Sequence, residues 1–239
     1  MNNNKIVIGM MSVAVLFSGY SMAGTTSITT KYEQTFRENK DYKPKFSVGH
    51  SFDNNMWVGI EHQRRWKDDI SGSPEFAETK LAIAYNYALD DAGRVKLQPK
   101  LEWKFNSGKE TMRPMLKLTY KLTDDWSIGT RYRYEYQSYS ESGGKRSRVN
   151  RFDGYLSYAV NDSVSLSWNP NYAYVLADSG TMYTGNDDRW EHEFKVGYKY
   201  DASNSFAVTY KHKDKIRDTA TYNAGEHNDA VQLAYTYKF

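Results

Sequence analysis

The amino-acid sequence predicts an all-β protein: a transmembrane antiparallel up-and-down β-barrel of about 12 strands with both termini periplasmic. Three observations lead there. Apolar and polar residues alternate along segments of roughly ten residues. Tight turns and long polar connections take turns between those segments. The chain carries the marks of export yet is too polar for a helical membrane protein. Between Val95 and Phe105 the polar face is Lys96, Gln98, Lys100, Glu102 and Lys104, and every other residue is apolar. From Trp126 to Gln137, Trp126, Ile128, Tyr132, Tyr134 and Tyr136 share one face, with Arg131, Arg133 and Glu135 on the other. A soluble sheet hides its apolar face in a core, whereas an outer-membrane barrel turns that face to lipid and lines a wet lumen with the other.

Met1–Ala23 reads as a secretory signal. Lys5 is its only charge, Ile6–Phe17 is an apolar run too short to span as a helix, and Ser21, Met22 and Ala23 suit cleavage before Gly24. Residues 24–239 are then the barrel. Losing Lys5 takes the formal charge from +3 to +2, so any functional charge must come from where side chains point. The absence of cysteine excludes a disulfide scaffold, thiolate metal sites and a cysteine nucleophile. With 21 Tyr, 6 Trp and a mean hydropathy of -0.79, the chain suits strands that each keep one wet face.

The alternation places strands at Thr26–Arg37, Tyr42–Asp53, Met56–Lys67, Glu75–Tyr87, Val95–Phe105, Thr111–Leu122, Trp126–Tyr139, Arg148–Val160, Ser163–Leu176, Asp188–Tyr200, Ser205–Lys215 and Asn228–Phe239. Asp53–Asn55, Asp90–Gly93, Thr123–Asp125, Asn161–Asp162 and Asp201–Asn204 are tight turns rich in Asp, Asn and Gly. Longer stretches lie between them, such as Asp68–Pro74, Ser140–Lys145, Ala177–Asp187 and Ile216–Glu226. That layout puts short turns on a periplasmic rim and long loops outside. Pro44, Pro99, Pro114 and Pro170 fall inside strands, where they are expected to mark bulges or bends. The last strand shows Val231, Leu233, Tyr235, Tyr237 and Phe239 on one face, an ending like the closing strands that barrel-assembly machinery reads.

This register turns many basic residues inward. The candidate pore-lining set is Lys31, Arg65, Lys96, Lys100, Arg113, Lys117, Arg131, Arg133, Arg151, Lys195 and Lys211. Inward acids are fewer: Glu33, Glu61, Glu78, Glu102, Glu135, Asp153, Glu191 and Glu193. Lys100, Lys117, Arg131 and Arg133 fall near mid-height on neighbouring strands, and Lys31, Lys195 and Lys211 stand half a circumference away. Two basic tracks would thus face each other across a bore narrower than that of a sixteen-stranded porin. Like charges confined in a lumen suit an anionic visitor. Arginine forks match carboxylates, and contacts in file hold a passing anion without trapping it.

Arg113-Pro114, the run Leu118-Thr119-Tyr120-Lys121-Leu122-Thr123-Asp124-Asp125-Trp126-Ser127-Ile128-Gly129, and Arg131-Tyr132-Arg133-Tyr134-Glu135-Tyr136 resemble the oligogalacturonate-specific monomeric porins of KdgM type. Arg151-Phe152-Asp153-Gly154-Tyr155 and Tyr235-Thr236-Tyr237-Lys238-Phe239 are similar too. The resemblance spans essentially the whole length from Gly24, more weakly in the first strands and loops. It implies a monomeric twelve-stranded barrel in the Gram-negative outer membrane whose facing Arg/Lys tracks pass acidic sugars: oligogalacturonate, sialic acid or alginate fragments. A track several residues long on each strand suits a linear polyanion.

A barrel enzyme would need a histidine beside a serine and an acid. His50, His62, His192, His212 and His227 have no such partners in sequence, His50 and its neighbour Ser51 point to opposite faces, and no two histidines stand at ligand spacing. We therefore expect no enzyme, no metal and no cofactor. A soluble lectin or nucleic-acid binder would share the interleaved basic and aromatic residues. The export signal argues against nucleic acid, and detergent dependence separates a lectin from a barrel.

Overall fold

Nearly every alternating segment forms a strand within a residue or two of its expected bounds. The computed structural model describes residues 23–36, 40–67, 70, 72–139, 146–176, 187–214 and 228–239. Its elements are β1 (Gly24–Thr35), β2 (Asp41–Phe52), β3 (Met56–Lys67), β4 (Glu75–Tyr85), β5 (Tyr87–Ala88), β6 (Val95–Asn106), β7 (Lys109–Lys121), β8 (Trp126–Tyr139), β9 (Arg146–Ala159), β10 (Val164–Val175), β11 (Asp188–Lys199), β12 (Asn204–Lys213) and β13 (Ala230–Lys238). β4 and β5 pair with β6 in one continuous register and make a single strand interrupted at Asn86, so twelve strands circle the molecule. β1 pairs antiparallel with both β2 and β13, which closes the sheet and leaves no edge. Met1–Met22, and with them most of the expected signal segment, lie outside the described residues, as do His227, all or most of three of the long loops, and Asp68, Asp69 and Ser71 of the fourth.

Side-chain hydrogen bonds clamp the turns of one rim. Asn54 Oδ1 accepts from the Met56 amide at 3.1 Å, and Asp90 Oδ1 from Val95 at 2.7 Å. Thr123 Oγ1 accepts from Trp126 at 3.0 Å, Asn161 Oδ1 from Val164 at 2.8 Å, and Asp201 Oδ1 from Asn204 at 2.7 Å. Asn and Asp are enriched there because their short side chains satisfy backbone donors that the turn leaves over. Both ends of the strand order lie on this rim, where Thr26 and Phe239 exchange two 3.0 Å backbone bonds. The opposite rim is not uniformly long-looped. Only Ser107 and Gly108 join β6 to β7, and Gly108 takes the left-handed φ of 70° that this hairpin needs.

The barrel is apolar outside and polar within. Outward positions between the rims carry aliphatics such as Ile83, Leu101, Leu116, Leu166, Val196, Val208 and Leu233, all exposed. Aromatics gather near both ends: Trp126 stacks on Tyr158 towards the short turns, and Tyr172 packs on Trp190 towards the long loops. An apolar band between two aromatic girdles is the surface a bilayer solvates. Inside, the largest fully buried side chains are Asn171, Thr35, Thr111 and Asp153. No apolar core exists among the described residues beyond scattered small contacts such as Ala84, Met115 and Ala173.

Of the four prolines only Pro44 has a register shift beside it, where the sequence leads one to expect a bulge or bend at each. All four point outward, because they alternate with the lumen-facing Lys43, Lys100, Arg113 and Asn169. Each leaves a two-residue gap in one ladder without shifting it: Tyr42↔Trp66 resumes at Lys45↔Gln63, Ala84↔Lys100 at Tyr87↔Leu97, Met112↔Tyr136 at Met115↔Arg133, and Trp168↔Leu156 at Asn171↔Asp153. The ladder on the other side of each proline stays unbroken. The missing donor is a local loss that neighbours absorb. At Pro170, the neighbouring Asn169 side-chain Nδ2 donates to the Gly154 carbonyl at 2.5 Å, and Gly154 leaves room for the ring. The one register shift among the described ladders falls between Gln63 and Arg64, beside the Pro44 gap.

Candidate functional site: the lumen

Alternation decides which side chains enter the bore. Two cavities fill it, of about 740 Å3 and about 780 Å3. They share Thr29, Lys31, Tyr155, Asn169 and Glu193, so one passage runs through both. The first occupies the long-loop half and reaches down β2 and β3 as far as Trp57. The second opens at the short-turn rim around Asn161–Ser163 and Lys199.

The wall of the first cavity is a near-continuous chain of ion pairs. Lys211 and Lys45 each meet Glu33 at 2.9 Å. Lys31 and Lys80 grip Glu61 at 2.8 Å, and Lys80 continues to Glu78 at 2.7 Å, which holds Lys104 at 2.6 Å. Further round, Arg113 bridges Glu102 at 3.0 Å and Glu135 at 3.1 Å, with Lys100 on Glu102 and Arg133 on Glu135. Asp153, only 1% exposed, accepts from Arg131 at 2.9 Å and Arg151 at 2.8 Å. Cross-strand register sets some of these partners, with Glu102 opposite Arg113 and Arg131 opposite Asp153, while Lys80–Glu78, Lys100–Glu102, Arg133–Glu135 and Arg151–Asp153 pair two residues apart along one strand. Basic side chains still outnumber acidic ones by twelve to seven in this lining.

The second cavity is built differently. Ser163, Ser165, Ser167, Thr209, Thr236, Asn169 and Gln232 line it with neutral donors and acceptors. Lys195 projects into it with no carboxylate at ion-pair distance among the described residues. At its inner end the Tyr155 ring carries the Lys117 ammonium 4.2 Å from its centroid and the Arg131 guanidinium at 5.5 Å.

Of the expected set, Lys100, Arg113, Arg131, Arg133 and Arg151 come together in the first cavity on the adjacent strands β6 to β9, while Lys117 sits on the Tyr155 ring without lining either cavity. Lys31 and Lys211 line the first cavity from the far side, and Lys195 stands below them. The two sides do face each other, but carboxylates are threaded through both. Arg65 belongs to the long-loop rim, where it pairs with Glu75 at 3.4 Å, and Lys96 is exposed near the short turns. Neither lines a cavity. Sequence reasoning passed over Lys45 and Lys80 as site residues and overlooked Trp57 and Tyr155. Counting by twos from Glu61 and from Asp153 turns both rings inward.

This inside-out barrel has a family. Residues 17–210 match the model described as oligogalacturonate-specific porin protein (KdgM). The chain belongs to the KdgM porin family. The N-acetylneuraminic acid outer membrane channel protein NanC of Escherichia coli K12 is 24% identical over 217 residues, which cover 88% of this chain and 83% of NanC. The oligogalacturonate-specific porin KdgM of Dickeya dadantii is 22% identical over 213 residues, 82% of this chain and 86% of that protein. A solved NanC porin structure superposes with a TM-score of 0.71 at 20% identity, covering 90% of this chain and all of that one. As in that family, the chain is an outer-membrane channel, a closed twelve-stranded barrel with a polar bore.

Proposed function

We propose that the protein is a passive pore for acidic sugars, with oligogalacturonates as the preferred class. The observation that carries this is the basic excess in the first cavity, whose wall carries twelve cations to seven carboxylates. Two mechanisms follow. The uncompensated cations attract polyanions and repel cations at the mouth. Once inside, a uronate carboxylate shares guanidinium and ammonium groups already engaged by Glu33, Glu102, Glu135 and Asp153. Shared contacts are weaker than new ones, which keeps the residence time short enough for flux. No step of chemistry is required, and the relatives with assigned roles are channels.

Lys31, Lys100, Arg113, Lys117, Arg131, Arg133, Arg151, Lys195 and Lys211 are the pore-lining residues of this reading, with Arg65 and Lys96 at the two mouths. Replacing Lys117, Arg131 and Arg133 together by glutamate should reverse or abolish anion selectivity in planar bilayers. Unchanged selectivity would overturn the assignment. A second reading, sialic acid as cargo, is favoured by the similarity to NanC. Which sugar interrupts single-channel current at the lower concentration decides between them. The same reading entails a signal cleaved after Ala23, a monomer with periplasmic termini, lipid around its apolar band, and insertion by barrel-assembly machinery. The mass of the membrane-extracted chain and its migration in detergent check the first two.

A further inference from the structure

Of the six tryptophans, Trp57 is the one on the lumen face; Trp66, Trp103, Trp126, Trp168 and Trp190 fall at outward positions. A large aromatic in a wall of ions and hydroxyls needs a reason. The wall beneath it has been cleared. Gly49 and Gly59 pair directly across β2 and β3. A Cβ at Gly59 would fall 2.4 Å from Trp57 Cη2, and one at Gly49 would fall 3.0 Å from Nε1. The indole therefore lies along bare backbone across both glycines, on positions where glycine otherwise weakens a strand. It lines the first cavity, and the Lys100 ammonium stands 5.3 Å from its ring centroid. Lys100 also holds Glu102 at 3.4 Å.

We propose that Trp57 and Lys100 form a subsite for one uronate residue: the indole takes the apolar C–H face of the pyranose ring, and the ammonium takes its carboxylate. The subsite rests on the acidic-sugar reading above and makes it specific. Ions alone recognise any anion, whereas a flat apolar surface beside a cation selects an anion with a flat apolar face. Stacking is also tolerant of position, so a chain can slide from one ring to the next.

The test uses the refolded full-length barrel in detergent and in planar bilayers, with trigalacturonate as the probe. Tryptophan emission should change on titration, and Trp57→Phe should abolish that change while leaving current block nearly as strong. Trp57→Ala should weaken block about three- to tenfold, the range expected for one aromatic contact. Gly59→Ala, which keeps the indole but displaces it, should weaken block in the same direction. Heat-modifiable gel migration checks that each variant is folded. Block that is unchanged in Trp57→Ala, or wild-type emission that stays still while block occurs, overturns the subsite and leaves the pore reading standing. If trigalacturonate fails to block the wild type at all, the oligogalacturonate reading falls and the subsite falls with it.

Discussion

In the long-loop half of the lumen most clustered cations lean on a carboxylate of the same or the next strand; nearer the short turns, Lys117 and Lys195 have none at ion-pair distance among the described residues. The contrast separates two jobs. Charges withdrawn from water destabilise a wall unless paired, so the crowded half needs Glu33, Glu61, Glu78, Glu102, Glu135 and Asp153 for the barrel to close. The short-turn half, lined mainly by hydroxyls and amides, spreads its cations apart and leaves Lys195 unneutralised among the described residues. One region therefore holds its cations for stability and offers a sugar only shared contacts. The other contributes field without structural obligation.

The largest expected effect comes from breaking the paired half. Asp153→Ala strands Arg131 and Arg151 and should lower unfolding stability by about 3–5 kcal/mol, read as the urea midpoint in lipid or detergent. An Asp153→Ala barrel as stable as the wild type would mean that the pairs are ornamental. Next, neighbouring residues of β7 should part company. Leu116→Arg, on the lipid face, should cost about 2–4 kcal/mol in refolding into bilayers. Lys117→Leu, facing water beside Tyr155, should cost far less in the same assay.

A finer probe is Lys117→Gln with Lys195→Gln. Stability should stay within about 0.5 kcal/mol of wild type. The anion-to-cation permeability ratio from reversal potentials should nevertheless fall severalfold; a ratio left intact would assign all selectivity to the paired half. The smallest effect is that of salt. Raising ionic strength from about 0.1 to about 1 M shortens the Debye length from about 10 to about 3 Å. Selectivity should then drop more in the wild type than in the Lys117/Lys195 variant, most of whose remaining lumen cations are already engaged by carboxylates.

Much of this was legible in the alternation. Lys96, Lys100, Glu102 and Lys104 share a face in any strand, and the turns announced themselves at Asn54, Asp90 and Asn161 because those side chains cap backbone donors locally. The prolines misled, since Pro99 and Pro170 look like breaks when read as missing donors. Their outward parity and an intact second ladder let the register run through them. The break at Asn86 is the Pro99 gap met from the partner strand; within its own strand it is invisible, because Tyr85 and Tyr87 continue the same alternation.

The sequence by itself determined which face of each strand is wet, because a period of two is a property of the extended chain and needs no neighbour. Closure decided the rest. Only with β1 joined to β13 does the register bring Lys211 to the Glu33 that Lys45 already holds, and only with β4 paired on both sides, to β3 and to β6, does Lys100 stand over Trp57. Those partnerships depend on hydrogen-bonded offsets accumulated around the ring, a quantity that no single strand contains.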